Sequence, residues 1–268
     1  MTVADAKHAA KGPWVEWAGR LGLVSKGAIY AVVALLAMAL SFGVGGKAAD
    51  RQGALRTIAS APLGEALLLA LAAGFAGYAI WRFVQAFLDR DDEGSGPKAL
   101  AKRAGYLGRG LLYAATCLLA LALVVGVGSG GSNEKEETAK VLDLPAGRWI
   151  VAGIGLAFLV GGAYNLYRSL TGKFRKDLRE YQMNDAARPW AIVVGVLGHA
   201  ARAVVFSLIG IFLLRAAIQY DAREAIGIDG ALRKLAQQEY GEFLLGVVAT
   251  GLLAYALFCF VQARYRRV

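Results

Sequence analysis

Six long segments that are almost free of charged side chains constrain this chain more than any other feature of its sequence. Four contain no Asp, Glu, Lys or Arg, and each of the other two contains a single arginine. The segments are residues 27–46, 66–88, 110–133, 149–167, 190–214 and 243–263. A helix needs about 20 apolar residues to cross roughly 30 Å of hydrocarbon, so each segment is about long enough to span a bilayer.

The composition of the segments predicts helices. They are rich in Leu, Ala, Val and Gly and lack the alternation of polar and apolar residues that is typical of barrel strands. The whole chain is 57% hydrophobic and only 19% charged, with a mean hydropathy of +0.47, and an ordinary soluble domain is less apolar. The sequence therefore predicts an all-α membrane protein with six transmembrane helices.

The distribution of basic residues predicts the orientation of the helices. With six spans, both termini and the second and fourth loops lie on one side, which carries sixteen Lys and Arg residues against ten on the other. Loops rich in Lys and Arg stay in the cytoplasm, so we expect a multi-pass protein of the bacterial inner membrane with cytoplasmic N- and C-termini. The net charge of +10 is then mostly a property of the cytoplasmic face, where anionic phospholipid headgroups are its counterpart, and we expect no nucleic-acid partner.

The six segments form three copies of one two-helix unit. Each first helix begins with a glycine, followed four residues later by a basic residue and after four more by an aromatic residue. These residues are Gly22, Lys26 and Tyr30 in the first copy, Gly105, Arg109 and Tyr113 in the second, and Gly198, Arg202 and Phe206 in the third. The connections between helices repeat as well, because residues 53–65 match residues 230–242. The middle copy is the most divergent.

The Arg/Lys-Gly-x-x-Tyr starts and the Gly-Ala-Leu-Arg returns resemble the bacterial membrane family known as domain of unknown function 1206. The resemblance covers residues 18–265 and implies an architecture of three tandem two-helix repeats, but no activity. Because each copy crosses the membrane twice, we expect three helical hairpin repeats related by a pseudo-threefold axis along the membrane normal. The expected divisions are a cytoplasmic segment at residues 1–17 and hairpin repeats at 18–90, 91–176 and 177–268, together one membrane domain.

Small residues recur at every fourth position of the second helices, and such stripes let helices pack closely in lipid. The stripes are Ala66, Ala70 and Gly74; Gly153, Ala157 and Gly161; and Gly246, Thr250 and Ala254. They favour contacts within the monomer, with a homo-oligomer seam as the alternative.

The third connection between helices is amphipathic and carries charge. We expect Asp229 to cap a short helix that runs to Ala236. This helix either connects the two spans and shields the top of the bundle or lies in the membrane interface.

Five basic residues inside or near the spans are candidate anion- or lipid-binding groups. Lys26, Arg109 and Arg202 are equivalent in the repeats, and Arg82 and Arg168 lie near the ends of second helices. Charge within a span indicates a functional site, and three bases around a pseudo-threefold axis could hold a phosphate or a phospholipid headgroup. The alternative is that these side chains snorkel to the headgroups and only set the orientation.

Two lines of reasoning place Arg202 at different depths. Hydropathy places it in the middle of an apolar segment, whereas the repeat register places it near the cytoplasmic surface. An arginine at mid-bilayer costs roughly 2.5–3.5 kcal/mol on insertion scales, so we expect the position given by the register. Trp190 then lies at headgroup depth.

The sequence offers no pattern of catalytic or metal-ligating residues. It contains no Ser-His-Asp arrangement, carboxylate pair or phosphate-binding glycine loop, and His199 is one of only two histidines. A metal or haem site needs more ligands than this. We therefore predict no cofactor, no metal site, no catalytic residues and no enzymatic activity.

The leading functional prediction is a non-enzymatic inner-membrane protein that acts as a scaffold, as an accessory subunit of other membrane proteins or as a module that binds anionic lipid. The alternative is a small anion channel or transporter, with the basic residues as attractors at one mouth. Against this alternative, no span is plainly interrupted and no acidic relay is available for ion coupling.

Overall fold

The chain folds as a threefold succession of a long, a short and a long helix. The computed structural model describes residues 13–44, 49–88, 94, 96–127 and 134–266. The long helices are α1 (Pro13–Ser41), α3 (Gly64–Phe87), α4 (Pro97–Val124), α6 (Gly147–Thr171), α7 (Ala187–Gln219) and α9 (Gly241–Tyr265). The short helices are α2 (Arg51–Ala59), α5 (Glu134–Leu142) and α8 (Ile228–Ala236). Short 3₁₀ helices occur at Lys173–Asp177, Glu180–Gln182 and Ala222–Glu224.

Within the described ranges, six helices are long and apolar enough to cross a membrane. They are the six long helices, with the first counted from Trp14. The predicted spans are thus confirmed, and the protein is an all-α, multi-pass membrane protein. Of the segment expected at residues 1–17, the first twelve residues lie outside the described part of the chain, and the remainder belongs to α1.

The three repeats share one tight turn before the second long helix. In each copy, a residue with a left-handed backbone is followed by a glycine, at φ angles of 61°, 64° and 58° in chain order. The pairs are Leu63 and Gly64, Ala146 and Gly147, and Tyr240 and Gly241. Each glycine N–H donates to the carbonyl three residues earlier, at 2.9, 2.8 and 2.8 Å. A methyl group on these glycines would come within 2.4, 1.8 and 2.2 Å of a backbone carbonyl oxygen, so no side chain fits without a backbone shift.

The described residues pack as two compact units whose division does not follow the repeats. The first unit comprises the described parts of Met1–Ala28, Ile58–Ser129 and Cys259–Val268, and the second those of Ile29–Thr57 and Gly130–Phe258. The two long helices of the second repeat, α4 and α6, therefore belong to different units.

In the first unit, α1 packs closely against α3 and α3 against α4. The approach of α1 to α3 depends on Gly22, because a methyl group there would lie 2.2 Å from the Cβ of Tyr78. Gly74, from the predicted small-residue stripe, lies so close to Ser25 of α1 that a methyl group on Gly74 would overlap the Ser25 side chain. Tyr78 also meets Tyr113 of α4 edge to face, with ring centroids 4.6 Å apart. Close glycine contacts are the packing expected of helices in lipid, and edge-to-face aromatic pairs add to it.

In the second unit, α6 packs along α7 and α7 against α9. Gly155 and Gly210 bring α6 and α7 together, since a methyl group at Gly155 would lie 3.1 Å from the Gly210 carbonyl oxygen. Gly198 of α7 lies against Tyr255 of α9, where a methyl group would come within 2.6 Å of the Tyr255 Cα. The first and third repeats thus use the same glycine–tyrosine contact between their two long helices.

The predicted cap at Asp229 is wrong. Helix α8 begins at Ile228 after Gly227, and no side chain caps it. Asp229 lies inside the first turn, where Oδ2 accepts a 2.8 Å hydrogen bond from Arg233 Nε. Its Oδ1 accepts a second bond of 2.8 Å from the N–H of Ala49. The carboxylate therefore binds neighbouring groups instead of the helix terminus.

The apolar faces of the short helices α2 and α8 are buried within the protein. Ala54 and Leu55 of α2 are fully buried, and so are Ala231 and Leu232 of α8. A helix lying in the membrane interface would expose such a face to lipid. Burial therefore favours the interpretation of these segments as connecting helices that cover other helices.

Candidate functional site

Arg82 is the most deeply buried of the five candidate bases, with only 3% of its surface exposed. Its Nη2 donates a 2.6 Å hydrogen bond to the hydroxyl of Tyr78, and its Nη1 donates one of 2.8 Å to Oε1 of Gln85. Both partners lie on α3 within four residues of Arg82, so helical spacing brings them together. Arg82 forms no ion pair with any residue that the structure describes, and its buried Nε has no acceptor among them.

Aromatic rings surround the Arg82 guanidinium. Its Cζ lies 4.3 Å from the ring centroid of Trp81, 4.9 Å from that of Tyr78 and 5.5 Å from that of Tyr106. A cation over an aromatic face gains about 0.5–2 kcal/mol, which offsets part of the cost of removing the charge from water. The rings thus replace part of the water that surrounds an exposed guanidinium.

Two further cations act on the same tyrosine. Lys26 of α1 and Arg266 beyond the end of α9 are both close enough to interact electrostatically with the phenol of Tyr78. Both side chains are half-buried, and the Arg266 Cζ lies 4.9 Å from the ring centroid of Trp81. Three positive charges thus gather around one buried phenol. We call Lys26, Tyr78, Trp81, Arg82 and Arg266 the Tyr78 cluster.

Arg202 forms a similar arrangement in the second unit. Its Nη1 donates a 2.7 Å hydrogen bond to the hydroxyl of Tyr255, which stands in the third repeat where Tyr78 stands in the first. The Arg202 Cζ lies 4.5 Å from the ring centroid of Tyr255, 4.6 Å from that of Phe206 and 5.8 Å from that of Tyr30. Arg202 is half-buried near the middle of α7. The hydroxyl of each equivalent tyrosine therefore accepts a bond from an arginine.

Arg168 and Arg109 have different surroundings. Arg168 Nη2 lies 2.6 Å from Oδ2 of Asp177, so its charge is paired with a carboxylate from the 3₁₀ segment after α6. Arg109 is exposed on α4. Of the five candidate bases, Lys26 and Arg82 both act electrostatically on the phenol of Tyr78.

Several partners of these bases were not predicted as functional residues. Tyr78, Trp81 and Gln85 belong to the repeated return motif. The spacing of Tyr78 and Gln85, four and three residues from Arg82, would have indicated their contacts, whereas the adjacent position of Trp81 gives no such signal. Arg266 offers no such signal, because it reaches the cluster only through the packing of the first unit.

The connection between α6 and α7 is held by charge pairs outside the spans. Arg175 donates two hydrogen bonds to Glu180, of 2.7 and 2.8 Å, and Arg188 lies 3.1 Å from the same carboxylate. The hydrogen bonds from Arg175, with those from Arg188, lower the pKa of Glu180 from 4.5 to about 2. Glu180 is thus ionised at any physiological pH.

Phe174 anchors this connection in the second unit. The side chain is fully buried and stacks on His199, with ring centroids 5.2 Å apart and an interplanar angle of 15°. It occupies the space next to Gly195, where a methyl group would lie 2.3 Å from the phenyl ring. His199 is 3% exposed, and its Nδ1 lies 2.7 Å from the Gly195 carbonyl oxygen. This environment is that of a histidine packed between helices.

Comparisons with known proteins place the chain among relatives without an assigned activity. A family model described as Domain of Unknown Function (DUF1206) matches three tandem segments, residues 21–89, 104–172 and 197–266. The curated relative "Uncharacterized protein YxxB" from Bacillus subtilis (strain 168) is 32% identical over 256 residues, which are 96% of this chain and 93% of the relative. No solved structure matches the chain. The three matched segments confirm the three tandem repeats predicted from the sequence.

Proposed function

The chain belongs to the DUF1206 family of tandem-repeat membrane proteins, and from this premise we propose that it is a non-enzymatic membrane protein that binds the phosphate of an anionic phospholipid at the Tyr78 cluster. The observation that carries the proposal is Arg82, a cation that is 3% exposed and has no carboxylate partner among the described residues. Its location is the bacterial inner membrane, with both termini in the cytoplasm.

The electrostatics of the cluster favour an anionic ligand. Removing a charge from water costs several kcal/mol unless an opposite charge or a full set of hydrogen bonds replaces the water. A phosphate group supplies negative charge and several acceptor oxygens, and it binds arginine with two parallel hydrogen bonds. Lys26 and Arg266 are half-buried, and together with the buried Arg82 they concentrate positive charge around the Tyr78 phenol.

The depth of the cluster favours a phospholipid as the source of the phosphate. Trp17 of α1 is 65% exposed, and tryptophan side chains prefer the level of the headgroups. Gly19 follows Trp17 by two residues on α1 and lies beside Trp81. A methyl group on Gly19 would be 3.1 Å from the Trp81 indole. The adjacent Arg82 is therefore within reach of the headgroup region and not at mid-bilayer.

The charge distribution of the chain predicts which leaflet supplies the lipid. Three members of the Tyr78 cluster lie in the C-terminal half of α3, and this helix ends on the side on which basic residues are in excess. This side faces the cytoplasm by the positive-inside rule, and the cytoplasmic leaflet is rich in anionic lipid. A lipid held there would let the lipid-facing helices serve as a scaffold or accessory surface for other membrane proteins.

Native mass spectrometry with defined phospholipids tests this proposal. We expect the wild-type protein to bind phosphatidylglycerol in a fixed ratio and in preference to phosphatidylcholine. The double variant Lys26→Gln/Arg266→Gln should bind it at least about tenfold more weakly, because one charge-assisted hydrogen bond contributes about 1.5–3 kcal/mol. Arg109→Gln removes the equivalent but exposed base of the second repeat and should bind like the wild type.

Three outcomes would count against the proposal. Equal binding of the two lipids, both of which carry a phosphate, would mean that the net negative charge of the lipid plays no part in binding and would contradict the preference for an anionic phospholipid. Equal losses of phosphatidylglycerol binding in the double variant and in Arg109→Gln would mean that the general surface charge, and not the Tyr78 cluster, attracts the lipid. Full competition by inorganic phosphate would identify a free anion, and not a phospholipid, as the ligand.

A further inference from the structure

An open groove in the second unit lies between α1, α7 and α9 and has a volume of about 760 Å³. All of its lining residues belong to the second unit. Most of the lining is apolar and includes Met38 of α1, Leu197 and Val204 of α7, and Phe243 and Val247 of α9. Since these three helices are membrane spans, the groove opens to the hydrocarbon of the bilayer and not to water.

Helices α7 and α9 touch at one end of the groove and separate toward the other. A methyl group on Gly251 of α9 would lie 2.5 Å from the Cβ of Ala201 of α7, so the two helices leave no space there. Five residues earlier on α9, a methyl group on Gly246 would meet only Ser41 of α1 among the described residues, at 3.7 Å, which is an ordinary contact. The groove is therefore a gap beside Gly246 that the side chains of α7 do not fill.

The hydroxyl groups of Ser41 and Thr250, which line the groove, are bound to their own helices. Ser41 Oγ donates a 2.7 Å hydrogen bond to the Met38 carbonyl, and Thr250 Oγ1 donates one of 2.8 Å to the Gly246 carbonyl. A hydroxyl has a single proton to donate, so neither group needs a polar acceptor from a ligand. The wall along the spans therefore suits hydrocarbon, which makes no hydrogen bonds.

The groove has the length of one leaflet. Its lining residues on α9 begin at Glu242 and end at Gly251, nine residues apart, or about 14 Å at 1.5 Å per residue. One leaflet is half of a hydrocarbon core of roughly 30 Å. An acyl chain that enters beside the first turn of α9 follows the groove to about mid-bilayer. A transmembrane helix of a partner, or of a second copy, crosses both leaflets and would extend beyond a groove that closes at Gly251.

A carboxylate lines the end of this groove at the start of α9. Glu242 lies in the first turn of the helix, is exposed and has no hydrogen bond or ion pair with any residue that the structure describes. A helix N-terminus favours a negative charge but supplies no cation to pair with it. Phe42 and Phe243 line the same end, with 75% and 72% of their surfaces exposed. An amphipathic molecule with a positively charged head fits both the apolar wall and this carboxylate.

We propose that the groove binds one acyl chain of phosphatidylethanolamine and that Glu242 accepts a hydrogen bond from the ammonium of its headgroup. A hydrogen bond between an ammonium and a carboxylate is charge-assisted and therefore stronger than one between neutral groups. The start of α9 lies on the side opposite to both termini, so the orientation expected from the basic residues assigns the lipid to the outer leaflet of the inner membrane.

This site goes beyond the proposed phospholipid site. It lies in the other unit, takes a lipid with a different headgroup and shares no residue with the Tyr78 cluster. The two sites also draw on opposite leaflets, because the Tyr78 cluster is assigned to the cytoplasmic side. Either site can therefore fail without the other.

Native mass spectrometry of the delipidated protein with phosphatidylethanolamine or phosphatidylcholine tests this site. The two lipids have the same net charge and can carry the same acyl chains, but the trimethylated ammonium of phosphatidylcholine has no N–H to donate. We expect the wild-type protein to prefer phosphatidylethanolamine, and Glu242→Gln to bind it about two- to fivefold more weakly, the effect of an exposed ion pair. Glu65→Gln removes the equivalent carboxylate in the first turn of α3, which does not line the groove, and should bind like the wild type.

A side chain that fills the groove should have a larger effect. Gly246→Leu places its side chain in the gap and should abolish most of the phosphatidylethanolamine binding, because it excludes the acyl chain. Gly153→Leu makes the same change on α6, where a methyl group would meet no atom within 4 Å, and should bind like the wild type. The double variant Lys26→Gln/Arg266→Gln should retain phosphatidylethanolamine, which separates this site from the Tyr78 cluster.

Photo-crosslinking in membranes tests the site even if Gly246→Leu fails to fold. p-Benzoylphenylalanine in place of Val247, which lines the groove, should capture phosphatidylethanolamine above its share of the surrounding membrane. In place of Leu257, an exposed residue of the same helix outside the groove, it should capture lipids in proportion to their abundance. Capture of a protein at Val247, or of lipids in bulk proportion at both positions, would overturn the proposal. Equal binding of the two lipids by the wild-type protein would do the same.

Discussion

The guanidinium of Arg202 donates a 2.7 Å hydrogen bond to the hydroxyl of Tyr255, and at the equivalent position of the first repeat Tyr78 accepts a 2.6 Å bond from Arg82. Arg82 lies four residues after Tyr78 on the same helix, whereas Arg202 reaches Tyr255 from the facing helix. The accepting tyrosine therefore occupies the equivalent position in both repeats. The donating arginine lies on the same helix in the first repeat and on the facing helix in the third.

Removal of the tyrosine hydroxyl that accepts the arginine hydrogen bond should lower the free energy of unfolding more at Tyr78 in the first repeat than at Tyr255 in the third. Tyr78→Phe leaves a cation that is 3% exposed without one of its acceptors, and we expect a loss of about 1.5–3 kcal/mol. Tyr255→Phe should cost less, because Arg202 is only half-buried and less enclosed than Arg82. Unfolding of both variants in the same detergent measures the difference. Equal losses would mean that the burial of Arg82 does not control the strength of the bond.

The glycine after each left-handed residue should be irreplaceable. Alanine at Gly64, Gly147 or Gly241 would place a methyl group within 2.4 Å or less of a carbonyl oxygen, and we expect each substitution to destabilise the protein by about 1–3 kcal/mol. The control is Gly105→Ala, since no atom lies within 4 Å of a methyl group there. This substitution should be neutral or stabilise α4 by up to about 1 kcal/mol. If all four variants unfold at the same midpoint, the steric account of the turn fails.

Removal of the Phe174 side chain should release the connection between α6 and α7. Truncation of a fully buried phenylalanine costs about 3–5 kcal/mol. We therefore expect Phe174→Ala to make the tryptic sites at Arg175, Lys176 and Arg179 more accessible at native conditions. Tyr181→Ala is the matched control, because the Tyr181 side chain is 75% exposed. Identical cleavage rates in the two variants would exclude Phe174 as the anchor.

The charge pairs of Glu180 should weaken only in strong acid. Because the pKa of Glu180 is about 2 in the folded chain, below its ordinary value of 4.5, the pairs contribute fully above about pH 4.5. Their contribution is lost as the pH falls from there through about 2. Hydrogen exchange of residues 173–186, compared with that of Glu180→Gln at each pH, measures this change. A protection ratio that falls to one already at pH 6 would contradict the predicted order.

The long helices and the repeats could be predicted because their signals are local. Uncharged segments of bilayer length indicate the spans, and the glycine–base–aromatic spacing identifies the three copies even where the middle copy diverges. The left-handed turn residues gave no such signal, since Leu63, Ala146 and Tyr240 are not residue types that favour positive φ.

The partners of the basic residues were harder to predict because several depend on distant packing. Asp177 pairs with Arg168 only because the chain turns after α6, and Arg51 meets Arg202 in one pocket only through the fold of the second unit. Asp229 looked like a cap because it begins an amphipathic segment, but its two oxygens bind Arg233 and the Ala49 N–H. Except for the bond to Arg233, which joins residues four apart on one helix, these contacts depend on tertiary structure, which spacing along the chain does not encode.

The most direct test of the central claim is the lipid composition that the wild-type protein retains when it is extracted from its own membranes in a lipid-retaining polymer and analysed by native mass spectrometry. The Tyr78 cluster predicts a fixed number of anionic phospholipids per protein chain, enriched over the surrounding membrane and retained through delipidation. Retained lipid with the same composition as the bulk membrane would contradict the claim that buried cations of this protein bind a phospholipid phosphate.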